Sequence, residues 1–356
     1  MRVLAVHSRV EHFPLTRPYA IAYKSIDSVA NVIVSLQTDG DPVGLGAASP
    51  APYVTGETLA RCAAALAPEN LAWLVGRDVA HAAAICRELT WRLPNTPAAR
   101  AAVDMALHDA LAQQLRVPLV DLLGRAHSAL PTSITIGIKP MDETLIEARE
   151  YVGRGFRILK IKLGNGIEED VARVRRVREE LGPLVGVRVD ANQAWSRGDL
   201  QRFLHETRDA LVELIEQPLP AAAVDELRNV SEADRARLCA DESLLSPADA
   251  WALARPPRAC GIFNIKLVKC GGIHAARRIA EVADLAGIEL MWGCMDESVI
   301  SIAAALHVAL ACPATRYLDL DGHLDLARDV VAGGVVLENG FLRPAPRPGL
   351  GLRMLA

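Results

Sequence analysis

Hydrophobic residues follow two different periods along the chain, and the change of period divides the chain into two regions. In the first region, residues 31–38 form a β-rich run that turn residues at 39–42 join to the next run, which predicts antiparallel strands over residues 1–47. Residues 15–25, between these strands, have no regular pattern and are a candidate lid. A second candidate loop covers residues 49–56.

Helical periodicity dominates the remainder of the first region. The clearest helix begins with Thr96 as N-cap and Pro97 at the first helical position, and its apolar residues recur on one face. His108 lies near Asp104 and Asp109 on this helix, an arrangement that could suggest a metal site. We interpret these residues instead as the polar face of a surface helix, because such faces are common.

From about residue 131 the pattern changes to short β-branched runs separated by helical stretches. The eight runs are residues 133–138, 157–163, 185–190, 211–216, 237–241, 261–266, 288–292 and 316–320. Alternating strands and helices indicate parallel βαβ units. The last residues of four successive runs, from Asp190 to Lys266, lie 25 or 26 residues apart. Eight units at one period predict a closed barrel rather than an open doubly wound sheet.

These patterns suggest two domains and a tail. We predict an N-terminal α+β domain over residues 1–125 and a barrel over residues 126–322. Residues 323–356 follow the eighth strand and are expected to complete the N-terminal domain. They contain a hairpin-like sequence at 335–342, which should pack back on the first domain.

Composition excludes several classes of protein. The 356 residues are 51% hydrophobic and 23% charged, which suits a large folded core, and a net charge of −4 removes the electrostatic case for a nucleic-acid partner. The seven cysteines are scattered without a CxxC pair, as expected for reduced thiols. The N-terminus is too polar for a signal peptide, and no apolar run is long enough for a membrane. We therefore expect a soluble cytoplasmic protein without a membrane partner.

Candidate chemistry lies at the ends of five successive predicted strands. Each of these strands ends in an ionisable residue, and the five are Lys162, Asp190, Glu216, Asp241 and Lys266. In a barrel of this class the C-terminal strand ends converge on one mouth, where active sites are built. Three carboxylates without a nearby His or Cys favour Mg²⁺ over zinc.

The lysines flank these acids on both sides. Lys160 and Lys162 lie two residues apart on one strand, so both side chains point to the same side of that strand. Because two neighbouring positive charges repel each other, one of the two amines should lose its proton more easily and act as a base. Lys266 lies beyond the third carboxylate. A metal between two lysines suits the ionisation of a carbon acid next to a carboxylate, with one lysine on each face.

Five short motifs carry a family resemblance. They are Lys160-Ile161-Lys162, Asp190-Ala191-Asn192-Gln193, Glu216-Gln217-Pro218, Asp241-Glu242-Ser243 and Asn264-Ile265-Lys266. As a set they resemble the enolase superfamily, and the opposed lysines resemble its muconate lactonizing enzyme subgroup. The resemblance covers essentially the whole chain and implies an α/β fold, a (β/α)7β TIM-like barrel with an N-terminal α+β capping domain.

The resemblance also implies roles for the matching residues. Asp190, Glu216 and Asp241 would bind Mg²⁺, and Lys162 and Lys266 would be acid/base catalysts on opposite faces of the substrate. Lys160 would lie next to Lys162, steer the pKa of Lys162 and contact the substrate carboxylate. Asn264 and Thr135 would point into the mouth as polar supports, and a structural hydrogen bond is an equal alternative for both.

The eighth strand separates the reactions of this subgroup. Asp319 and Asp321 share one face of that strand, and an α-ammonium group of a peptide would join the two carboxylates. This Asp-x-Asp sequence resembles the one that dipeptide epimerases have at the same strand. The resemblance implies inversion at the Cα of the C-terminal residue of a dipeptide. Lys24 in the lid segment resembles the cation of L-Ala-D/L-Glu epimerases, whereas Asp296 and Glu297 after the seventh strand favour a cationic side chain. We predict a cationic or broad preference.

Other functions stay open from the sequence. N-succinylamino acid racemase and o-succinylbenzoate synthase belong to the same subgroup, and their substrates lack a free ammonium group. A Schiff-base aldolase would use Lys162 or Lys266 as a nucleophile, and a non-catalytic barrel is a third class. A homo-oligomer is expected because such enzymes commonly assemble.

Overall fold

A computed structural model describes residues 1–21 and 24–355, without the side chains of residues 18–25. The chain begins with an antiparallel sheet of β1 (Val3–Ile21), β2 (Lys24–Thr38) and β3 (Val43–Ala48). The prediction that residues 15–25 are irregular is wrong for the described backbone, because β1 and β2 continue as a paired hairpin up to Ile21 and Lys24. The ladder changes register between Pro14 and Tyr19, where prolines cannot donate hydrogen bonds.

Six α-helices follow this sheet. They are α1 (Pro52–Thr55), α2 (Leu59–Ala65), α3 (Pro68–Leu71), α4 (Ala82–Arg92), α5 (Pro97–Gln114) and α6 (Leu119–Leu123), with 3₁₀-helices at Ala72–Leu74 and Val79–His81. The helix α1 lies within the second candidate loop. Glu57 rather than Thr96 caps α5, since its carboxylate accepts hydrogen bonds from the backbone N–H groups of Ala98 and Ala99 at 2.7 and 3.1 Å.

The interpretation of α5 as a surface helix is wrong. Asp104 and Asp109 are each only 1% exposed, because α5 lies between the sheet and the barrel. Asp109 accepts hydrogen bonds from the backbone N–H groups of Leu45 and Leu350 at 2.9 and 2.8 Å. Asp104 accepts one from the N–H of His274 at 2.9 Å. These buried acids therefore connect the N-terminal region to the barrel and the tail.

The second region forms the barrel. The region begins with β4 (Leu130–Pro131), which belongs to a separate sheet. The eight barrel strands are β5 (Ile134–Ile136), β6 (Ile158–Lys162), β7 (Gly186–Asp190), β8 (Val212–Glu216), β9 (Leu238–Ala240), β10 (Ile262–Ile265), β11 (Glu289–Gly293) and β12 (Thr315–Asp319). Its helices are α7 (Met141–Gly153), α8 (Ile167–Leu181), α9 (Arg197–Glu206), α10 (Glu232–Arg235), α11 (Pro247–Ala254), α12 (Leu267–Cys270), α13 (Ile273–Ala286) and α14 (Val299–Ala311), with 3₁₀-helices at Arg208–Ala210 and Ala221–Asn229.

Strands β5 to β12 pair in parallel in chain order. The Ser133 N–H donates to the Leu318 carbonyl at 3.0 Å and joins the last strand to the first. Seven crossovers connect the eight strands, so the predicted (β/α)7β barrel and its N-terminal α+β domain are confirmed. The register pairs Lys162 with Asp190 and Asp190 with Glu216, which places the charged strand ends at one mouth.

The tail forms β13 (Val331–Gly333), β14 (Val335–Glu338), β15 (Phe341–Pro344) and β16 (Leu352–Met354). The hairpin of β14 and β15 pairs with β4, within the residues predicted to belong to the barrel. Elsewhere the tail contacts the N-terminal region, for example through the Thr16 N–H, which donates to the Asp325 carbonyl at 2.8 Å. The predicted domain bounds at residues 125 and 322 stay a prediction. No helix in the described ranges is long and apolar enough to cross a membrane.

Candidate active site

Lys160 lies at the centre of a buried group of carboxylates. Its Nζ is 2.7 Å from Glu216 Oε2, 2.8 Å from Asp319 Oδ2 and 3.2 Å from Asp190 Oδ2. Burial would lower the pKa of Lys160, but the carboxylates of Asp319, Glu216 and Asp190 outweigh it and raise that pKa. Lys160 is therefore held as an ammonium group, and the expectation that one of the two lysines of β6 acts as a base stays a prediction.

Lys162 is the more accessible lysine of strand β6. Its Nζ lies 2.7 Å from Asp190 Oδ2 and donates to Asn192 Oδ1 at 3.0 Å, and its side chain is 17% exposed. The other oxygen of Asp190 accepts a hydrogen bond from the Asn192 N–H at 2.9 Å. Burial alone would raise the pKa of Asp190, but Lys162 and Lys160 lower it to about 2. Asp190 is therefore ionised and fully engaged.

Two further lysines approach from strand β10. Lys266 directly follows this strand, and its Nζ lies 2.7 Å from Asp241 Oδ2. Lys269 comes three residues later in α12 and donates to Asp241 Oδ1 at 2.5 Å, to the Asp241 carbonyl at 2.6 Å and to the Asn264 carbonyl at 3.0 Å. Burial would lower the pKa of Lys266, but Asp241 and Glu216 raise it. Sequence reasoning identified Lys266 and missed Lys269.

The three predicted metal ligands lie at the C-terminal ends of neighbouring strands and form an all-oxygen set. Among the described residues, Glu216 Oε2 accepts no hydrogen bond of normal geometry, although Lys160 lies near it. Burial and the neighbouring Asp190 raise the pKa of Glu216 to about 8. Buried oxygens that repel one another and lack full hydrogen bonding suit a hard divalent cation, so the residues present fit Mg²⁺.

Asn264 supports this set rather than the substrate space. The side chain of Asn264 is fully buried, and its Nδ2 donates to Glu216 Oε1 at 2.7 Å. Asn264 is not among the residues that line the cavity at the mouth of the barrel, which we call the mouth cavity. The amide of Asn264 orients a carboxylate, which is the structural hydrogen bond that the sequence left open for this residue. Thr135 does line the cavity, and its backbone N–H donates to Asp321 Oδ2 at 2.7 Å.

Asp319 and Asp321 both line the cavity but have different surroundings. Asp319 accepts hydrogen bonds from Lys160 and from the Ser133 hydroxyl, at 2.8 and 2.6 Å. No cationic side chain of the described residues lies within ion-pair distance of Asp321, and burial together with Asp319 raises its pKa to about 7. Asp321 is therefore the carboxylate that a cationic group of a ligand would stabilise most.

Further acids line the rim of the cavity. Asp296 is one of them, and its backbone carbonyl accepts a hydrogen bond from the Ser49 hydroxyl at 3.2 Å. Glu297 is not: it is only 4% exposed and accepts a hydrogen bond from the Met295 N–H at 2.7 Å. The predicted pair of acids at this rim is therefore wrong for Glu297. The side chain of Lys24 lies outside the described residues.

Sequence reasoning also missed two rim carboxylates. Asp325 lines the cavity without an ion-pair partner among the described residues, and burial, with Asp296 and Glu147 nearby, raises its pKa to about 6. Glu242 lies opposite Asn192, whose Nδ2 is 3.4 Å from its Oε1, and burial and Asp241 raise its pKa to about 7. The position of Glu242 directly after Asp241 was a usable signal, whereas Asp325 lies in the tail beyond the last strand.

Two family models match the chain. The model described as Enolase C-terminal domain-like matches residues 143–355. The model described as Mandelate racemase / muconate lactonizing enzyme, N-terminal domain, matches residues 5–124.

Relatives are similar over the whole chain. A protein of Methylococcus capsulatus named L-Lys-D/L-Arg epimerase is 60% identical over 352 residues, which is 99% of each chain. A protein of Desulforapulum autotrophicum with the same name is 51% identical over 355 residues, all of both chains. The crystal structure of a dipeptide epimerase from Methylococcus capsulatus, complexed with Mg and the dipeptide L-Arg-D-Lys, has a TM-score of 0.97 at 60% identity and covers 99% of each chain.

Proposed function

The chain belongs to the enolase superfamily, and we propose that it is a Mg²⁺-dependent dipeptide epimerase with a preference for cationic side chains. The reaction inverts the Cα of the C-terminal residue of the dipeptide. One observation carries the proposal: Lys162 and Lys266 each contact a carboxylate of the predicted metal set, Asp190 on one side and Asp241 on the other. Two lysines on opposite sides can serve the two faces of one carbon atom.

The dipeptide is oriented by its two ends. Asp321, with Asp319 next to it, binds the α-ammonium group of the dipeptide. This ammonium group supplies the cationic partner that Asp321 lacks among the described residues of the free protein. The carboxylate end lies toward Asp190, Glu216 and Asp241. This orientation places the Cα of the second residue between Lys162 and Lys266.

Proton transfer then uses the lysines in turn. One lysine removes the α-proton from its face, and the other delivers a proton to the opposite face, so the configuration inverts. When bound by Asp190, Glu216 and Asp241, Mg²⁺ supplies positive charge that stabilises the enediolate form of the substrate carboxylate. Lys160 remains an ammonium group that holds three carboxylates in place.

The charge balance of the centre supports this chemistry. Four lysines, at 160, 162, 266 and 269, face the four carboxylates of Asp190, Glu216, Asp241 and Asp319, so these groups together are neutral when all are ionised. A divalent cation adds two positive charges, and a substrate carboxylate offsets one of them. The second positive charge is offset when one lysine loses its proton, and a lysine must be neutral in this way to act as a base.

The cationic preference rests on the rim and on the relatives. Asp296 and Asp325 line the cavity, and the two curated relatives above are both named for Lys and Arg dipeptides. The cations Arg17 and Lys139 also line the cavity, but both are within ion-pair distance of Glu147. Asp325, in contrast, has no ion-pair partner among the described residues, so its negative charge at the rim attracts a cationic side chain.

A substrate panel tests the proposal. Purified protein with Mg²⁺ is incubated with L-Lys-L-Arg, L-Ala-L-Glu and N-succinyl-L-Arg, and epimer formation is followed by chiral chromatography. We expect epimerisation of the cationic dipeptide to be fastest and to stop with EDTA. Fastest turnover of L-Ala-L-Glu would favour an L-Ala-D/L-Glu epimerase, and turnover of N-succinyl-L-Arg alone would favour the racemase function.

We also propose that the enzyme works in the cytoplasm as a homo-oligomer. Seven unpaired cysteines suit a reducing compartment. Light scattering of the purified protein tests the assembly, and a monomer at working concentration would contradict it.

A further inference from the structure

A second cluster of side chains that can bind a metal lies apart from the mouth cavity. Cys86 of α4 and Asp104 and His108 of α5 each offer one ligand atom, and these three atoms lie within 4.8 Å of one another. Cys86 and Asp104 are 5% and 1% exposed, and the His108 side chain is 12% exposed. None of the three residues lines the mouth cavity. The cluster is therefore separate from the proposed epimerase centre.

Two helices and the start of a third helix build this cluster. Asp104 and His108 lie four residues apart on α5, so their side chains share one face of that helix. Helix α4 packs on α5 and brings Cys86 next to Asp104. The backbone N–H of His274, at the start of α13, donates to Asp104 Oδ2 at 2.9 Å. This hydrogen bond orients the carboxylate, as the outer partners of metal ligands commonly do.

The other carboxylate oxygen of Asp104 lacks such a donor. His108 Nδ1 lies 2.8 Å from Asp104 Oδ1, but it forms a hydrogen bond of normal geometry only with the Asp104 backbone carbonyl, at 2.9 Å. Within the described ranges of the chain, the buried Oδ1 atom has no hydrogen-bond partner. Because a buried charged oxygen without a donor is costly, Oδ1 is an atom that a cation would stabilise.

The three residue types together favour Zn²⁺ over Mg²⁺. Zinc accepts thiolate, imidazole and carboxylate ligands, whereas Mg²⁺ takes hard oxygen ligands. Ligand atoms around a four-coordinate zinc ion lie about 3.3–3.6 Å apart. Side chains whose ligand atoms already lie within 4.8 Å of one another can therefore converge on one ion by side-chain rotation. The two positive charges of the ion would be balanced by one thiolate and one carboxylate.

We propose that Cys86, Asp104 and His108 form a four-coordinate zinc site, in which water is the fourth ligand. This site goes beyond the proposed epimerase function and does not depend on it. The ion would connect α4 to α5 and, through the hydrogen bond between Asp104 and His274, to the start of α13 in the barrel. Its role would be to stabilise the junction between the N-terminal region and the barrel.

A cluster held together by hydrogen bonds alone makes a different prediction. The Cys86 thiol and the His108 ring would then act only as donors to Asp104, and no metal would bind through sulfur. A serine at position 86 keeps a hydroxyl donor for Asp104 and removes the thiolate ligand. The variant Cys86→Ser therefore separates the two interpretations.

The test is a titration of the full-length protein with Co²⁺, a spectroscopic substitute for zinc, in the presence of excess Mg²⁺. Co²⁺ bound by a thiolate gives an intense ultraviolet charge-transfer band, which a site made only of carboxylates cannot give. We expect this band to saturate at a single Co²⁺ per chain, to disappear when Zn²⁺ is added and to be absent in Cys86→Ser. His108→Gln should weaken Co²⁺ binding at least about tenfold, since even the outer partners of metal ligands contribute about 10–100-fold.

The matched control is Cys294→Ser, because Cys294 lines the mouth cavity and could supply a thiolate close to the proposed Mg²⁺ centre. The band should remain in this variant. Absence of the band in the wild-type protein, its persistence in Cys86→Ser or its loss in Cys294→Ser would each overturn the proposal. None of these outcomes concerns epimerisation, which the substrate panel tests separately.

A second measurement covers the case in which Cys86→Ser does not fold. The wild-type protein and Cys294→Ser are loaded with one Zn²⁺ per chain in excess Mg²⁺, and X-ray absorption fine structure is recorded at the zinc edge. In both proteins we expect one sulfur neighbour at about 2.3 Å and nitrogen or oxygen neighbours at about 2.0–2.2 Å. Spectra with nitrogen and oxygen neighbours alone would contradict the proposal.

Discussion

The catalytic centre has two faces that perform one electrostatic task with different local geometry. We call Lys160, Lys162 and Asp190 the β6 face, and Lys266, Lys269 and Asp241 the β10 face. On the β6 face both ammonium groups approach the same oxygen, Asp190 Oδ2, while the Asn192 N–H holds the other. On the β10 face the two ammonium groups take opposite oxygens of Asp241.

The difference follows from the backbone that carries each pair. The β6 face uses alternate residues of one strand, so its two lysines point to one side at a period of two. The β10 face uses the residue after a strand and a residue one helical turn later. The same pairing of two lysines with one carboxylate thus arises from two unrelated spacings.

The largest effect is expected from removing Lys162 on the β6 face or Lys266 on the β10 face. Lys162→Ala and Lys266→Ala should each lower the epimerisation rate about 10³-fold, because a positioned acid/base group contributes about 10²–10⁴. Each variant should still exchange the α-proton of one epimer, and the two variants should retain opposite epimers. Proton NMR in D₂O measures both. If both variants exchanged the α-proton of the same epimer, the two faces would not serve opposite sides of the substrate.

The buried lysines should differ in their effect on stability. Lys160→Met leaves Glu216 and Asp319 without any lysine in ion-pair distance, whereas Lys269→Met leaves Lys266 on Asp241. We expect Lys160→Met to lower the free energy of unfolding of the metal-free protein by about 3–5 kcal/mol and Lys269→Met by less. Urea denaturation with and without Mg²⁺ measures this. Equal losses in the two variants would contradict this difference between the faces.

Asp321 lies off both faces and should act on binding alone. Asp321→Asn is expected to raise KM for L-Lys-L-Arg about 30-fold, since losing one partner of a buried charge pair costs about 2–5 kcal/mol. The ratio of the exchange rates of the two epimers should not change, because neither Lys162 nor Lys266 is affected. Initial rates over a substrate series give KM and kcat. A change confined to kcat would contradict an ammonium-binding role.

The rim acids should have a smaller effect, on selectivity. In Asp325→Asn the ratio of kcat/KM for L-Lys-L-Arg to that for L-Ala-L-Glu should fall about tenfold, as one attractive charge is lost. Asp296→Asn provides the comparison at a second, neighbouring acid of the rim. Because these residues are partly exposed, added salt should reduce the effect. If neither variant changed this ratio of kcat/KM values, residues other than Asp325 and Asp296 would determine the selectivity.

The smallest effect concerns pH. Burial and Asp319 raise the pKa of Asp321 to about 7, so this carboxyl binds a proton as the pH falls below that value and no longer attracts an ammonium group. We expect KM to rise on going from pH 7 to pH 6, by at most about tenfold. Asp321→Asn should remove this dependence. A KM that rises toward high pH instead would contradict the assignment.

The barrel and most of its centre could be predicted from the sequence for a physical reason. Parallel strands with a regular spacing bring their C-terminal ends to one mouth, so residues at strand ends such as Lys162 and Asp190 meet without further information. The same pattern identified Asp319 on the last strand. Strand-end position and period two were sufficient wherever a residue belongs to the strand itself.

Residues in the helices and loops that follow the strands could not all be placed in this way. Lys269 is brought to Asp241 by one turn of helix α12, a spacing of three that strand periodicity does not include. Glu297 follows a strand end but turns back to the Met295 N–H, because local backbone geometry decides its direction. Asp104 looked like a surface residue because its burial depends on the start of helix α13, 170 residues later.

The most direct test of the two-face centre is the isotope content of the first product formed in D₂O. Wild-type protein with Mg²⁺ is incubated with L-Lys-L-Arg, and the first few per cent of L-Lys-D-Arg are analysed by mass spectrometry. If one lysine removes the proton and the other delivers one, the new epimer should carry deuterium at Cα from the first turnover, while the remaining L-Lys-L-Arg stays largely protiated. A first product that retains the substrate's own proton would contradict the account, because one group would then serve both faces.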